Sequence, residues 1–199
     1  MPRKKLIRTN DYYYHITTRT NNKEWFALPL EEVWSICSYA LRKAHSKTPV
    51  DISQFVLMAN HYHLLVRTKN NDIDKFMFWL NREIGTIIRN KTNRINRVFA
   101  TGYKWTLVTH PKYFKNVFKY IYQNPMRAGI VKRCEHYPYS SKYYIYKDLE
   151  IPFSFTPINH LETSLDFLNE MYTPHQNQVI RLGLSRTKYN ESRLRSTPN

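Results

Sequence analysis

Two short apolar runs, separated by four polar or aromatic residues, constrain the fold of this chain most strongly. The runs are residues 55–59 and 64–66, and Asn60 to His63 lie between them. Short apolar runs with a polar break are typical of buried strands. The segment 54–68 therefore predicts two strands, or one long bent strand, with the break near Asn60.

The neighbouring sequence alternates between strand and helix patterns. Aromatic and β-branched residues favour strands, and apolar residues spaced three and four apart predict helices. Gly102 predicts a bend within the last of the predicted strands. The order predicts an α+β domain, in which helices pack on the faces of an antiparallel sheet in the ferredoxin-like manner. Strands are predicted at 11–18 and 98–108, and helices at 30–45, 73–91 and about 112–123.

The character of the sequence changes at about residue 150. Prolines become frequent, one weak helical stretch covers 160–171, and a basic tail follows at 181–195. We interpret residues 1–149 as one domain and 150–199 as a C-terminal appendage whose end is partly disordered.

The chain carries a large positive charge. It has 31 Lys and Arg against 15 Asp and Glu, a formal net charge of +16. An apolar content of 42% with 15% aromatic residues excludes a disordered polycation. A folded chain with this excess favours a polyanionic partner, and nucleic acid is the first candidate. The alternative is a basic surface without such a partner.

Composition excludes several classes of protein. No apolar run is long enough to span a membrane, and the basic N-terminus lacks the apolar stretch of a secretory signal. Two cysteines cannot form a disulfide framework, which favours a reducing cytoplasm. With only four glycines, the chain has no Gly-rich phosphate-binding loop.

His61 and His63 form a candidate metal site. In a strand, residues i and i+2 project from the same face, so both imidazoles point together and Tyr62 points away. Two neutral imidazoles on a rigid strand can bind a divalent metal that has a third ligand and open positions. The alternative is a pair of histidines at a strand edge that bind no metal.

Tyr120 and Asn124 form a second candidate feature. They are four residues apart near the end of a predicted helix, so they lie on one face. The Asn124 amide oxygen suits Mg²⁺ or Mn²⁺, and the Tyr120 phenol could attack phosphorus. The alternative is a tyrosine packed on the sheet and an asparagine that caps the helix. With the histidine pair, the two residues would form one site for phosphodiester chemistry.

The chain resembles a known family over roughly residues 5–147. It is similar to the REP-associated tyrosine transposases, which belong to the HUH-type single-tyrosine transposases related to the IS200/IS605 enzymes. The two most specific segments are MANHYHLLV at 58–66 and YIYQNPMRAGIV at 120–131. The matching segments, in family order, are residues 14–17, 57–66, 102–104, 120–125, 127–131 and 137–141.

The resemblance implies an HUH endonuclease fold for the catalytic domain at 1–149 and a role for each site residue. His61 and His63 would be metal ligands for Mg²⁺ or Mn²⁺, Asn124 the third ligand, and Tyr120 the nucleophile. The implied reaction is cleavage and rejoining of single-stranded DNA at REP-like hairpins through a 5′-phosphotyrosine, with no small-molecule cofactor. The resemblance also favours a monomer over a dimer, in the cytoplasm with the nucleoid.

Single-stranded DNA requires cations along its backbone and aromatic faces for its bases. An N-terminal basic arm and a set of residues further along the chain could supply these contacts. The candidate DNA-binding residues are Arg3, Lys4, Lys5, Arg8, Arg19, Arg82, Arg89, Lys104, Trp105, Lys112 and Arg127.

Two other functions are compatible with the sequence. One is a non-catalytic or domesticated hairpin DNA- or RNA-binding protein, in which sheet aromatics stack on bases. The other is a metal-dependent hydrolase of small phosphoesters, which the charge and the aromatic content disfavour.

Overall fold

The computed structural model describes residues 5–100, 102–158, 161 and 163–190, apart from the side chain of Lys112. The strands and helices of the described part follow in chain order. They are β1 (Tyr13–Arg19), α1 (Leu30–Lys47), β2 (Val50–Met58), β3 (His61–Thr68), α2 (Ile73–Thr92), β4 (Lys104–Val108), α3 (Pro111–Tyr122), α4 (Asn124–Arg127), α5 (Ser141–Tyr146), α6 (Leu165–Asn169) and α7 (Pro174–Leu184).

The four strands form one antiparallel sheet in the order β2-β3-β1-β4. β2 and β3 form a hairpin whose turn is Ala59 and Asn60, so the predicted break near Asn60 is confirmed. α1 connects β1 to β2, and α2 connects β3 to β4. This connectivity and strand order are those of the ferredoxin-like fold, which confirms the predicted α+β class.

Each face of the sheet carries its own core, because successive residues of a strand point to opposite faces. Tyr62, Leu64 and Val66 of β3 face α1 and α2, in what we call the helix-side core. Leu65 of β3 belongs to the opposite cluster, the site-side core, which α3 covers. The two helices contribute to the helix-side core, as their three-and-four spacing predicts, through Val33, Cys37, Leu41, Phe76, Leu80 and Ile84.

The edge strand β2 is covered by residues 137–141 (YPYSS). The Tyr137 hydroxyl donates to the Leu57 carbonyl at 2.7 Å, and the Leu57 amide donates to the Tyr139 carbonyl at 2.9 Å. The Ser141 hydroxyl oxygen accepts the Phe55 amide at 3.2 Å. These bonds satisfy backbone groups that an open sheet edge would leave unpaired.

The other edge strand, β4, is covered by residues of the C-terminal segment, by which we mean the described part of residues 150–190. The Leu107 amide donates to the Thr187 carbonyl at 2.9 Å, and the Tyr189 amide donates to the Leu107 carbonyl at 2.7 Å. Phe153 lies in the helix-side core, and Leu168 in the site-side core. The described part of residues 150–190 therefore packs on the sheet and on both cores.

Two predicted elements differ from the observed ones. The strand predicted at 98–108 begins only at Lys104, since Gly102 has a φ of +50° and interrupts the extended backbone. Within 160–171 the helix is limited to α6, and residues 159, 160 and 162 lie outside the described residues.

The start of the basic tail predicted at 181–195 is instead part of helix α7. Thr173 and Gln176 form a capping box at its first turn, where Pro174 is also well placed. Residues 191–195 lie outside the described residues. None of the helices in the described part is long and apolar enough to cross a membrane.

We expect Ser141→Ala to lower the free energy of unfolding by about 1–3 kcal/mol, because the fully buried Phe55 amide would lose its partner. Urea unfolding monitored by circular dichroism measures this change. Ser35→Ala, at an exposed position of α1, is the matched control and should stay within about 0.5 kcal/mol of the wild type. Equal effects of the two substitutions would contradict this account of the β2 edge.

Candidate active site

The two histidines of β3 lie on the site-side face of the sheet. Their ring centroids are 5.0 Å apart, and the ring planes meet at 79°. In the sheet register His63 is opposite Thr17 of β1, and His61 is opposite Arg19. The strand alternation thus brings His61 and His63 together as the sequence predicts.

A third histidine, His15 of β1, contacts His63 directly. His15 Nε2 and His63 Nδ1 are 2.9 Å apart, and the rings are nearly parallel with centroids 5.2 Å apart. Both side chains are buried. In the tautomer in which His63 Nδ1 donates this hydrogen bond, Nε2 of that ring keeps its lone pair for a ligand.

The orientation of His61 is fixed by Asn60. His61 Nδ1 lies 2.8 Å from Asn60 Oδ1, which can only accept, so Nδ1 carries the proton and Nε2 has a free lone pair. Asn60 is itself held by a bond from its Nδ2 to the Lys23 carbonyl, at 2.8 Å. In both His61 and His63, the ring nitrogen that remains for a ligand is therefore Nε2.

Burial keeps the three imidazoles neutral. It lowers the pKa of His15 to about 3 and that of His61 to about 4, and the positive charge of Arg127 acts in the same direction on both. The pKa of His63 is also held well below its usual value, first by burial and then by the neighbouring histidines. Neutral imidazoles are the form that binds metals.

Helix α3 places Tyr120 beside the histidines. The Tyr120 ring meets the His63 ring edge to face, with centroids 6.4 Å apart. The tyrosine is 8% exposed, so the surrounding side chains largely fix its ring. The Asn124 amide nitrogen donates to the carbonyls of Tyr120 and Ile121 at 3.1 and 3.0 Å, which orients its oxygen.

Arg127 joins Tyr120 and Asn124. Its Cζ lies 3.8 Å from the centroid of the Tyr120 ring, and Nη1 donates to the Tyr120 carbonyl at 2.9 Å. Nη2 donates to Asn124 Oδ1 at 2.6 Å. Burial lowers the pKa of this guanidinium from its usual value. We expected Arg127 to contact DNA, and the structure also gives it a positioning role within the site.

The C-terminal segment holds α3 in place. The buried Lys119 ammonium lies 4.5 Å from the ring centroids of both Phe167 and Tyr172, and 3.2 Å from Glu170 Oε2. Gln123 Nε2 donates to the carbonyls of Leu168 and Glu170 at 2.9 and 2.7 Å. These contacts flank Tyr120 along the chain and anchor the helix that carries it.

The site lies in one cleft with a volume of about 1320 Å³. Its lining includes His15, His61, His63, Tyr120 and Asn124. The described lining contains five cations and no Asp or Glu, which makes the cleft attractive to an anion. The five cations are Arg19, Lys23, Lys104, Arg127 and Arg181.

The candidate DNA-binding residues occupy different surroundings. Arg19 and Lys104 line the cleft, and Lys5 is exposed. Arg8 forms an ion pair with Asp74 at 2.9 Å. Trp105 also borders the cleft, but it is 7% exposed and belongs to the helix-side core, so burial leaves little of its ring for stacking on a base.

The remaining candidates are away from the cleft or undescribed. Arg82 and Arg89 are exposed on α2, where they line a second cavity of about 490 Å³ together with Arg97. Arg3 and Lys4 lie outside the described residues, as does the side chain of Lys112.

Sequence reasoning missed two residues of the cleft, His15 and Arg181, and Asn60, which orients His61. His15 lies in the matched segment 14–17, and Asn60 lies in the MANHYHLLV block, but the sequence assigns neither a role. Arg181 belongs to α7, and the sequence places it at the start of the predicted basic tail. His15 and Asn60 could have been suspected from those matched segments, whereas nothing local to Arg181 indicates its position.

Comparison with known proteins identifies the class of this fold and site. The model of the family described as "Transposase IS200 like" matches residues 8–124, more than half of the chain, so the chain belongs to this family. No curated protein sequence matches.

Two solved structures are similar to this chain. One is described as the REP-associated tyrosine transposase bound to a REP hairpin. It has a TM-score of 0.61 and 18% identity, and the alignment covers 81% of this chain and 95% of that chain. This likeness confirms the fold. The other, a putative transposase from Deinococcus radiodurans, has a TM-score of 0.40 and 14% identity, with 62% and 95% covered.

We expect the metal-free protein to lose stability as the pH falls from 6.5 towards 4. The folded-state pKa values of His15, about 3, and of His61, about 4, lie below the unfolded value of about 6.5. The unfolded chain therefore binds protons that the folded chain does not, and each group contributes about 1.4 kcal/mol per pH unit. His63 contributes with the same sign.

Urea unfolding in EDTA at pH 7, 6 and 5 measures this dependence, in a window above the range where most carboxylates titrate. The free energy of unfolding should fall by more than about 1.4 kcal/mol between pH 6 and 5, because more than one buried imidazole contributes. The exposed His136 provides a control, since His136→Ala should leave the slope unchanged. A flat profile would contradict neutral burial of the three imidazoles.

Proposed function

We propose that this transposase is a metal-dependent endonuclease and strand transferase that acts on single-stranded DNA at hairpin-type sequences in the cytoplasm. Tyr120 is the nucleophile, and cleavage leaves a 5′-phosphotyrosine. The observation that carries the proposal is the placement of Tyr120 against His63, with ring centroids 6.4 Å apart, in a cationic cleft.

The donor set suits a hard or borderline divalent metal. In the described part of the chain, no cluster of three or more His, Cys, Asp or Glu side chains could hold a metal, so a site here needs a ligand of another type. His61 and His63 each offer a neutral Nε2, and Asn124 offers an amide oxygen. Asn124 Oδ1 accepts one bond from Arg127, and a carbonyl oxygen has a second lone pair. His61, His63 and Asn124 would therefore hold Mg²⁺ or Mn²⁺.

When bound, the metal would polarise a phosphodiester oxygen and so favour attack at phosphorus. The chain's own residues orient the nucleophile. Arg127 packs on the Tyr120 ring and binds the carbonyl of the same residue, which fixes the side chain relative to the backbone of α3. The His63 ring meets the Tyr120 ring edge to face.

The reaction exchanges one phosphodiester for another. The Tyr120 oxygen attacks phosphorus and loses its proton, the bond from phosphorus to the 3′ oxygen breaks, and that oxygen leaves as a 3′-hydroxyl. The DNA 5′-phosphate stays on the tyrosine. A 3′-hydroxyl can then attack the phosphotyrosine, which restores the phenol and rejoins a strand. No ATP is needed, because the number of phosphodiester bonds does not change.

The cleft supports a nucleic acid rather than a small phosphoester as the substrate. Its volume of about 1320 Å³ and its five cations extend well beyond the histidine pair. The similar solved structure is described as bound to a REP hairpin, which supports a hairpin as the recognised form of DNA. DNA binding would combine backbone charge contacts with contacts to unpaired bases.

One chain supplies the whole site. His15, His61 and His63 come from the sheet, and Tyr120 and Asn124 come from α3 and the start of α4. The contacts of Lys119 and Gln123 with residues 167–172 hold α3 against its own chain. This anchoring supports an active monomer rather than a dimer that exchanges α3.

Tyr120→Phe should abolish the covalent DNA adduct and preserve DNA binding, because only the attacking oxygen is lost. The substrate is a pool of oligonucleotides with a hairpin and randomised single-stranded flanks. These oligonucleotides are labelled at the 3′ end, since the downstream fragment stays on the tyrosine. A denaturing gel, run after incubation with Mn²⁺, detects the adduct. Tyr146→Phe, at a side chain 45% exposed, is the control and should retain full trapping.

An adduct formed by Tyr120→Phe at the wild-type level would refute the assignment of Tyr120. If neither the wild type nor the control variant formed any adduct with this pool, the proposed reaction itself would be wrong. Hairpin binding without cleavage would then favour the non-catalytic alternative.

His61→Ala should weaken Mn²⁺ binding by about tenfold or more, because one of two imidazole ligands is removed. Titration of free Mn²⁺, followed by electron paramagnetic resonance without DNA, measures this affinity directly. His136→Ala removes an exposed histidine away from the cleft and should bind Mn²⁺ as the wild type does. Equal affinity of the two variants would rule out a metal site at His61.

A further inference from the structure

Helix α7 forms part of the wall of the active-site cleft. Asn177 and Arg181 line the same cavity as Tyr120, His61 and His63. They are four residues apart in a helix and so lie on one face of it. Ile180 and Gly183 of the same helix are buried, so α7 presents one face to the protein and another to the cleft.

The position of α7 is fixed by its contacts with β4. The Thr106 hydroxyl donates to the carbonyls of Leu184 and Arg186, at 2.5 and 3.0 Å. Gly183 packs so closely that a Cβ atom there would lie 2.8 Å from the Tyr189 ring. These contacts within the chain hold the cleft wall, which lowers the cost of ordering it on binding.

Arg181 is one of the cations of the cleft lining. Among the described residues no carboxylate pairs with it, whereas the Arg8 and Arg67 guanidiniums bind Asp74 and Asp51 at 2.9 Å. Arg181 and the half-buried Arg127 both line this cleft. Two guanidiniums that share a cleft without an acidic lining residue are stabilised by an anion between them.

Asn177 provides a polar group next to Arg181. Its amide nitrogen donates to the Tyr172 carbonyl at 3.0 Å, whereas its Oδ1 is buried without a hydrogen-bond partner in the described structure. A buried acceptor of this kind is costly unless a ligand or water donates to it.

We propose that α7 is a wall of the DNA-binding cleft, in which Arg181 binds a backbone phosphate of the single strand that enters the active site. This inference rests on the proposed function, because it takes the cleft to hold single-stranded DNA. It assigns a substrate contact to the segment after residue 150.

Fluorescence anisotropy tests the phosphate contact with a labelled single-stranded 20-mer of thymidine nucleotides, in EDTA and at several NaCl concentrations. Arg181→Gln should weaken binding about fivefold or more at low salt and reduce the log–log salt slope by about 0.7, the value for one phosphate of single-stranded DNA. Arg181→Lys keeps the charge and should keep the slope. Lys132→Gln removes a charge from an exposed position away from the cleft and should bind within about twofold of the wild type.

Equal affinities and slopes for Arg181→Gln and Lys132→Gln would overturn the proposal. A loss of binding in both Arg181→Gln and Arg181→Lys, with a lowered melting temperature, would also count against it, since the residue would then act only in folding. Adduct trapping separates this failure from a failure of the proposed function. If the wild type forms the adduct and Arg181→Gln binds DNA normally, only the proposed role of α7 is wrong. If the wild type forms no adduct, the proposed reaction itself is wrong.

Discussion

The pairing of β1 with β3 at the centre of the sheet is the constraint on which the site depends. It brings His15 next to His63, and Nδ1 of His63 forms a hydrogen bond with His15 Nε2 at 2.9 Å. In the other ring, Nδ1 of His61 forms a hydrogen bond with Asn60 Oδ1. Burial on the strand then keeps the imidazoles neutral, because charging them inside the protein would be unfavourable.

The second half of the site depends on how α3 is held against the sheet. In the chain, Tyr120 lies between Lys119 and Gln123. The side chains of Lys119 and Gln123 both contact the segment 167–172. Arg127 then couples the Tyr120 ring to the amide of Asn124. The residues after 150 thus help to position Tyr120 through α3, and through α7 they also shape the cleft.

Local patterns in the sequence predicted much of the fold and of the site. The period-two alternation of β3 placed His61 and His63 on one face, and the helical spacing placed Tyr120 and Asn124 one turn apart, since both relations depend on backbone geometry alone. His15 was missed because its contact depends on the register between strands 48 residues apart. The charge count could not distinguish Arg8, which is paired with Asp74, from the cleft residue Arg181.

Mass spectrometry of the DNA adduct tests the central claim, that Tyr120 is the nucleophile of this cleft, most directly. Trypsin cleaves after Lys119 and Arg127, so the peptide 120–127 carries both Tyr120 and Tyr122. Fragmentation should place the nucleotide on Tyr120, since Tyr122 is 1% exposed and its hydroxyl is bonded to Ser141. A nucleotide on Tyr122, or on a tyrosine outside this peptide, would contradict the account.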